Sequence, residues 1–358
     1  MKEPLFEEYS FWEDLRNDRP VILYGTGNGA DKIIDSLESF GIEPDGIFAS
    51  DGFVRDRTFR GKKVLSYSDT VSKYGEDITI LLSFGTNRKD VLDFIFYLDK
   101  RHNLIIPDVP LYGGNLFDRK YFLSKEQTIL ETLDLFKEEK SRKLFADAIN
   151  FRLTGKLRYL TNCEPFKESL MNLFKCTDVR IIVDGGAYDG DTVKTFLEVF
   201  PDAERVFAIE PDPHSFSKLG RISDDRIIPI NSALSDKKGV SDFSSSSSRG
   251  SGISGIANKS RKILINTTTV DSLLSEDKCD LIKLDVEGTE REALIGSSFT
   301  ISNYAPNLIV SLYHRTDDVF DIPRYVKSLS SDYDLFLRRP FCVPMWDMNL
   351  FAVRKRRI

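Results

Sequence analysis

The chain contains little cysteine, histidine and tryptophan, with 4, 3 and 2 of them among 358 residues. The cysteines, Cys163, Cys176, Cys279 and Cys342, are far apart and form no CxxC pair, which favours free buried thiols over a zinc site or disulfides. No apolar run approaches the ~18 residues that a membrane-spanning helix needs. The N-terminal "MKEPLFEEYSFWEDL" is acidic and has no apolar centre, so we expect no signal peptide and a cytoplasmic protein.

The charge balance gives no support for nucleic-acid binding, because 50 basic and 56 acidic residues give a net charge of −6. We therefore expect no nucleic-acid partner. The hydrophobic content of 41% and the charged content of 30% are those of an ordinary soluble protein. A length of 358 residues exceeds what one core usually organises, so we expect two domains.

Two stretches of the chain alternate apolar strand patterns with helix patterns, residues 1–110 and residues 178–358. This alternation predicts an α/β protein with two Rossmann-like domains, each built on a parallel sheet covered on both faces. Residues 111–177 have apolar residues at helical spacing and read as a helical connector. The last two strand patterns leave no room for a crossover helix, so they predict a terminal antiparallel β-hairpin.

A glycine turn in the first domain, "YGTGNGA", fits the G-x-G-x-x-G/A dinucleotide fingerprint. Gly25 and Gly27 form the turn, and Asp51 lies ~20 residues further on, where a ribose-binding acid belongs. These three residues are candidates for an accessory nucleotide site. A nucleotide- or NAD-dependent sugar-modifying enzyme is therefore one alternative, although this half is short and has no suitable Tyr-x-x-x-Lys pair.

A second glycine turn, "VDGGAYDGDT", has different chemistry. Asp184 ends a strand before Gly185, Gly186 and Gly190, where its carboxylate would repel a pyrophosphate but could hold an ammonium group. Glu210 ends the next strand, where a carboxylate can accept hydrogen bonds from both ribose hydroxyls. An amino-acid end together with a ribose suggests S-adenosylmethionine as the cofactor.

Polar residues also follow the fourth and fifth strands of this half. Asp285 and Glu287 follow "LIKL", and His314 follows "LIVSLY", so all three are expected at the ligand-binding edge of the sheet. A histidine with a pKa near neutrality is a suitable general base for a hydroxyl. One alternative is that Asp285 and Glu287 bind a divalent cation that polarises the acceptor. Two carboxylates alone are weak evidence for a metal ion, so we expect none. Thr289 and Glu292 have the spacing of a helix capping box.

Five segments of the second half together resemble the FkbM family of S-adenosylmethionine-dependent methyltransferases. They are "VDGGAYDGDT", "AIEPDP", "TTVDSLL", "IKLDVEGTEREAL" and "LIVSLYH", and the resemblance spans roughly residues 140–355. It implies a class I methyltransferase sheet over residues 178–358. It also implies methyl transfer, most often to a hydroxyl oxygen of a saccharide or secondary metabolite. Tyr188 departs from the pattern, because a bulky residue disfavours the positive φ that such a turn uses.

The resemblance also implies roles for individual residues. Asp184, Gly186 and Gly190 would bind the methionine end of the cofactor, and Glu210 would bind the ribose. The adenine would lie beside residues that follow the third strand, namely Asn231, Ser232 and Ala233. The acceptor would face Asp285, Glu287 and His314. A non-catalytic binding protein that has kept the fold is the remaining alternative.

Overall fold

A computed structural model describes residues 5–15, 19–54, 56–110, 112–174, 177–245, 261–275 and 277–355 of the chain. Cys176 and the side chain of Asp51 lie outside what it describes. Among the described cysteines, Cys279 and Cys342 are buried free thiols, as expected, whereas Cys163 is exposed. No helix within the described ranges combines the length and the apolar character required to cross a membrane.

The first half of the chain builds a six-stranded sheet in the order β3-β4-β2-β1-β5-β6, in which every pair but β3–β4 is parallel. Its strands are β1 (Val21–Tyr24), β2 (Gly46–Phe48), β3 (Thr58–Phe59), β4 (Lys62–Leu65), β5 (Thr79–Leu82) and β6 (Asn103–Ile105). Its helices are α1 (Phe11–Asp14), α2 (Asn28–Ser39), α3 (Tyr67–Tyr74) and α4 (Lys89–Arg101). Strands β1 and β5 are buried along their whole length because helices cover both faces of the sheet.

Three helices connect the two sheets: α5 (Arg119–Leu133), α6 (Glu139–Thr154) and α7 (Phe166–Phe174). Every residue of α6 from Leu144 to Thr154 is buried, as is typical of a helix surrounded by other elements. Its polar residues have partners on both sides. Arg152 lies 3.3 Å from the carboxylate of Asp108 and donates a hydrogen bond to the carbonyl of Thr316. Helix α6 therefore joins the two halves through one continuous apolar core.

The second half builds a seven-stranded sheet in the order β15-β16-β14-β13-β7-β8-β9. Its strands are β7 (Ile181–Gly185), β8 (Arg205–Ile209), β9 (Ile227–Ile230), β13 (Leu281–Leu284), β14 (Asn307–Ser311), β15 (Tyr333–Arg338) and β16 (Asn349–Arg354). A separate three-stranded sheet contains β10 (Ala233–Leu234), β11 (Gly239–Ser245) and β12 (Arg261–Thr268). Strands β15 and β16 pair antiparallel, and β16 also pairs antiparallel with β14, which confirms the predicted terminal hairpin.

The helices of this half are α8 (Asp191–Val199), α9 (Pro213–Leu219), α10 (Val270–Leu274), α11 (Glu290–Ile295), α12 (Ser298–Tyr304) and α13 (Asp318–Leu329). Helix α8 follows β7, α9 follows β8 and α11 follows β13. The turns between these strands and helices therefore meet at the carboxyl edge of one sheet, which is where ligands bind in folds of this type.

Gly155 ends α6 in the left-handed conformation, with φ +62°, and its carbonyl accepts a hydrogen bond from the Ile106 N–H at 2.8 Å. A Cβ atom there would lie 2.9 Å from the carbonyl oxygen of Ile106. We expect Gly155→Ala to lower the free energy of unfolding by about 2–4 kcal/mol, through the left-handed backbone and the clash together.

Gly61→Ala is the matched control, because Gly61 also has a positive φ, +78°, but faces open space. It should cost only the backbone part, about 1–2 kcal/mol. Urea unfolding followed by circular dichroism measures both variants. Equal losses would show that the contact between α6 and β6 contributes nothing.

Candidate functional site

A cavity of about 340 Å³ opens at the carboxyl edge of the seven-stranded sheet. Its wall comes from the segments that follow β7, β8, β9, β13 and β14, and from the loop between β15 and β16. The polar residues in that wall include Tyr188, Asp191, Thr192, Glu210, Asp212, Ser232, Lys283, Asp285, Glu287, Tyr313, Asp347 and Asn349. The structure therefore brings much of the predicted site to one place.

A buried ion pair supports the centre of this edge. The strand register sets Lys283 of β13 beside Asp184 of β7, and the ammonium lies 3.2 Å from the Asp184 carboxylate. It also lies 3.8 Å from Asp285 and donates to the carbonyls of Gly185 and Gly186 at 3.3 and 2.9 Å. Burial opposes the charged ammonium, but the carboxylates of Asp184 and Asp285 raise the pKa of Lys283, so it stays protonated.

Asp184 itself is fully buried and does not line the cavity. Its second oxygen accepts a hydrogen bond from the Thr192 hydroxyl at 2.6 Å, and Thr192 does line the cavity. The ammonium group beside Asp184 is thus that of Lys283. Sequence analysis missed Lys283, although a single lysine within the apolar strand "LIKL" was a signal for it.

Gly186 brings the backbone of this turn against the segment that follows β13. Its φ is +75°, and a Cβ atom there would lie 1.9 Å from the carbonyl oxygen of Asp285. Only glycine fits in that space. Gly185 ends β7, and Gly190 precedes α8, where a Cβ atom would lie 2.2 Å from the side chain of Ile222. Neither of these two glycines lines the cavity.

Glu210 places its carboxylate in the cavity wall, with 6% of the residue exposed. Its two oxygens accept hydrogen bonds from the backbone N–H groups of Tyr188 and Asp212, at 2.9 and 2.8 Å. Burial raises the pKa of Glu210 to about 7, although the two backbone donors oppose this shift. Tyr188 has φ +50°, so this bulky residue does adopt the left-handed conformation that sequence reasoning disfavoured.

Two of the three residues expected beside an adenine, Ser232 and Ala233, line the cavity. Asn231 does not. Its exposed side chain donates to the carbonyls of Glu210 and Pro211, at 2.8 and 3.2 Å, and so fixes the backbone that carries the Glu210 carboxylate.

His314 lies at the centre of a cluster of carboxylates. Its Nδ1 is 2.8 Å from Glu290, and its Nε2 is 3.4 Å from Glu287 and 3.7 Å from Asp285. Only 1% of His314 is exposed, whereas about a third of the Asp285 and Glu287 side chains is. The structure therefore brings the three predicted residues together, with His314 behind the two carboxylates that line the cavity.

The surroundings of His314 and Asp285 favour the charged forms of both side chains. Burial opposes the imidazolium, but the carboxylates of Glu290 and Glu287 raise the pKa of His314 well above its ordinary value. Burial opposes the charged form of Asp285 as well, but Lys283 and His314 lower its pKa below the ordinary value. A histidine that retains its proton at neutral pH is a poor general base, which weighs against the role that the sequence suggested for His314.

The connector also contributes a residue to this cluster. Tyr112 donates a hydrogen bond from its hydroxyl to Glu287, and its backbone N–H donates to the carbonyl of His314 at 3.4 Å. Its Cβ packs so closely on Gly288 that a side chain at Gly288 would come within 2.9 Å of it. No pattern in the sequence marked Tyr112, because its place depends on how the connector packs on the sheet.

The predicted capping box at Thr289 is wrong. The Thr289 hydroxyl donates to the carbonyl of Val286 at 3.0 Å and makes no capping hydrogen bond. Instead, the carboxylate of Glu290 accepts from the backbone N–H groups of Val286 and Gly288, at 2.9 and 3.1 Å. Thr289 has ψ 24°, so its backbone is not in the extended conformation that a side-chain N-cap normally has.

The first glycine turn is not part of this cavity. Gly25, with φ +114°, follows β1 and its backbone approaches Ser83, while Gly27 precedes α2 and faces open space. The Asp51 side chain lies outside the described structure, so the accessory nucleotide site remains a prediction.

Comparison with known proteins finds a family match within the second half of the chain. Residues 184–336 match the family described as the methyltransferase FkbM domain. Over 146 residues the chain is 27% identical to the 2-O-methyltransferase NoeI of Sinorhizobium fredii, a match that covers 34% of this chain and 59% of that protein. Over 141 residues it is 27% identical to the hexuronic acid methyltransferase AglP of Haloferax volcanii. This match covers 38% of this chain and 58% of that protein. The chain thus spans less than two thirds of either relative.

A solved structure resembles the chain over nearly its full length. It is the crystal structure of methyltransferase FkbM from Methylobacillus flagellatus, with a TM-score of 0.69 and 20% sequence identity. The match covers 98% of this chain and 95% of that one, so the shared fold includes both sheets.

Replacing the buried lysine tests its importance for the site. We expect Lys283→Met to lower the free energy of unfolding by about 3–5 kcal/mol, because it leaves the buried Asp184 carboxylate without a counter-charge. The exposed pair of Lys167 and Glu198, 2.7 Å apart, gives the control. Lys167→Met should change stability by no more than about 1 kcal/mol. Urea unfolding measures both variants, and similar small losses in the two would contradict a structural role for the buried pair.

Proposed function

We propose that the chain uses S-adenosylmethionine to methylate a hydroxyl oxygen of a saccharide or related secondary metabolite. The match of residues 184–336 to the methyltransferase FkbM domain supports this proposal. The observation that carries this proposal is one cavity with two kinds of carboxylate. Glu210 suits a ribose, and Asp285 and Glu287 suit an acceptor hydroxyl. We further propose residues 178–358 as the catalytic domain, 111–177 as its helical connector and 1–110 as an accessory domain.

The residues of the cavity fit the cofactor. Glu210 would accept hydrogen bonds from the ribose hydroxyls, and Ser232 and Ala233 would lie beside the adenine. Gly186 lines the cavity and has no side chain, which would leave room for the methionine end. Asp184 would act on that end through Thr192 and Lys283, since its own carboxylate is buried.

S-adenosylmethionine supplies a methyl group bound to a sulfonium sulfur, and the sulfur becomes a neutral thioether when the methyl group is transferred. The chief contribution of the protein is therefore to align the acceptor oxygen, and such alignment can contribute ~7–11 kcal/mol. In the reaction an oxygen–carbon bond forms, the carbon–sulfur bond breaks and the hydroxyl loses its proton.

Glu287 is our candidate for the group that accepts this proton. It lines the cavity, and the hydrogen bond from Tyr112 holds its carboxylate in place. Asp285 is a weaker proton acceptor, because Lys283 and His314 lower its pKa against the effect of burial. Asp285 would instead accept a hydrogen bond that orients the acceptor, and His314 would hold both carboxylates from behind.

A saccharide acceptor is supported by the two relatives, since one is named a 2-O-methyltransferase and the other a hexuronic acid methyltransferase. The cavity wall near the two carboxylates supports it as well. Tyr313, Asp347 and Asn349 line this wall and offer the hydroxyl, carboxylate and amide groups that sugar hydroxyls bind.

We expect the purified protein to form an O-methylated product from S-adenosylmethionine and a member of a panel of neutral sugars and hexuronic acids. Mass spectrometry with fragmentation locates the methyl group. Glu287→Gln should lower kcat by about 10²–10⁴-fold, with little change in cofactor affinity. Glu198→Gln, which removes an equivalent carboxylate at the surface, should match the wild type. A methyl group on nitrogen or carbon would refute O-methylation, and wild-type kcat in Glu287→Gln would refute its role.

The pKa of Glu210 predicts how cofactor binding depends on pH. The ionised carboxylate accepts hydrogen bonds from the ribose, and about 7 is the pH at which half of it is ionised. Affinity for S-adenosylhomocysteine should therefore rise about 5–10-fold between roughly pH 6 and pH 8. Isothermal titration calorimetry measures this rise. Glu210→Gln should bind more weakly and without this pH dependence, whereas a pH-independent wild type would remove Glu210 from the ribose site.

A further inference from the structure

Carboxylates dominate the charged side chains in the wall of the cavity. Among the described residues that line it, one cationic side chain, that of Lys283, stands against six carboxylates. The ammonium of Lys283 is buried and already holds Asp184 and two backbone carbonyls. An anionic ligand would therefore find no available cation in the described wall. The six carboxylates are those of Asp191, Glu210, Asp212, Asp285, Glu287 and Asp347.

Three of these carboxylates follow β7 and β8, on the side of the cavity that we propose for the cofactor. Glu210 is the candidate ribose ligand. Asp212 accepts hydrogen bonds from two backbone N–H groups at the start of α9. Asp191 lies in the first turn of α8, where the helix dipole stabilises a negative charge. The acceptor side, formed by the ends of β13 and β14 and the start of β16, has the other three: Asp285, Glu287 and Asp347.

The charges behind these three carboxylates cancel in pairs. The imidazolium of His314 lies 2.8 Å from Glu290, and the ammonium of Lys283 lies 3.2 Å from Asp184. Together with the three carboxylates at the cavity, these side chains comprise two cations and five carboxylates. The acceptor side therefore carries an excess of negative charge that faces the cavity.

Asp347 belongs to the loop between β15 and β16, which other parts of the chain hold in place. Arg339, at the start of the loop, is fully buried and donates to the carbonyl of Leu160 in the connector at 2.8 Å. Val343 exchanges two backbone hydrogen bonds with Thr86 of the first half, at 3.0 and 2.7 Å. The loop is therefore fixed to the connector and to the first sheet at once.

The backbone of Asp347 is itself constrained. Its φ is +56°, and its carbonyl accepts a hydrogen bond from the side-chain amide of Asn349 at 2.7 Å. A residue with a side chain keeps this left-handed conformation where surrounding contacts over-determine it, often at functional sites. The loop therefore cannot readily move the Asp347 carboxylate away from a second negative charge in the cavity.

Tyr313 shows that the charges of Asp285 and Asp347 act at one place. Its hydroxyl donates to Asp285 at 3.1 Å, and its side chain lines the cavity. Burial raises the pKa of Tyr313 well above its ordinary value, and the carboxylates of Asp285 and Asp347 raise it further. Asp347 and the carboxylates after β13 therefore contribute to one local field on the acceptor side.

We propose that the acceptor carries no acidic group and that Asp347 is a specificity-determining residue that enforces this selection. The inference rests on the proposed function and narrows it to neutral saccharides, in contrast to the relative named a hexuronic acid methyltransferase. An acceptor carboxylate would lie beside fixed like charges, which is strongly unfavourable. A hydroxyl or an amide in its place would donate hydrogen bonds to the same carboxylates.

A hexuronic acid and its primary amide provide a matched test, because they have nearly the same shape and differ in charge. The full-length protein is assayed with S-adenosylmethionine and the methyl glycosides of glucuronic, galacturonic and mannuronic acid, their amides and the corresponding hexoses. At neutral pH we expect kcat/KM for an amide or hexose to exceed that for the acid by at least about 30-fold.

Equal kcat/KM values for an acid and its amide would overturn the inference and leave the proposed function standing. No methylated product from any of these sugars would count against the proposed function, and the inference would fall with it.

The role of Asp347 is tested with Asp347→Asn, which removes the charge and keeps the backbone, because asparagine also tolerates a positive φ. The ratio of kcat/KM for the amide to that for the acid should fall by about 3–10-fold, through a lower KM for the acid. Calorimetry with S-adenosylhomocysteine should show unchanged affinity, which also verifies that the variant folds. Asp93→Asn, which removes a carboxylate from the exposed surface of α4, should keep the wild-type ratio. An unchanged ratio in Asp347→Asn would overturn its role.

Discussion

The ammonium of Lys283 is the interaction on which the rest of the site depends. Two adjacent parallel strands place Lys283 beside Asp184, in the interior of the sheet, where neither charge would be stable alone. The same ammonium holds the carbonyls of Gly185 and Gly186 and lies near Asp285. One buried charge thus sets the path of the glycine turn and the position of the first carboxylate after β13. The glycine turn after β7 and the carboxylates after β13 are therefore parts of one electrostatic unit.

The second constraint is the carboxylate of Glu290, which is buried and has hydrogen-bond partners at both of its oxygens. It accepts from the backbone of the turn at Val286 and Gly288, and it holds the ring of His314. This turn gives Glu287 a positive φ of +55°, an uncommon conformation for a residue with a side chain. Backbone strain of this kind persists where surrounding contacts over-determine it, often at functional sites. Here the contacts from Glu290 and Tyr112 direct the Glu287 carboxylate toward His314 and the cavity.

The sequence predicted the two sheets, the terminal hairpin and the carboxylates at the strand ends, because these follow from periodicity and from the rule that parallel strands end at one edge. It could not predict contacts that depend on packing between distant segments. Tyr112 belongs to a loop without periodicity, and the backbone of Thr289 does not take the extended conformation that a side-chain cap normally has. Tyr188 adopts a positive φ because its N–H is held by Glu210, a hydrogen bond across 22 positions that local propensity does not contain.

The first half of the chain contributes contacts to the site whether or not its own glycine turn binds a ligand. Helix α6 is buried between the two sheets, and Gly155 at its end bonds to Ile106 next to β6. The segment that leaves β6 then carries Tyr112 onto Glu287 and the backbone of His314. A displacement of the first sheet would therefore move a group that touches the candidate proton acceptor. This path makes the first half a support for the part of the cavity wall that contains Glu287, in addition to the continuous core that both halves share.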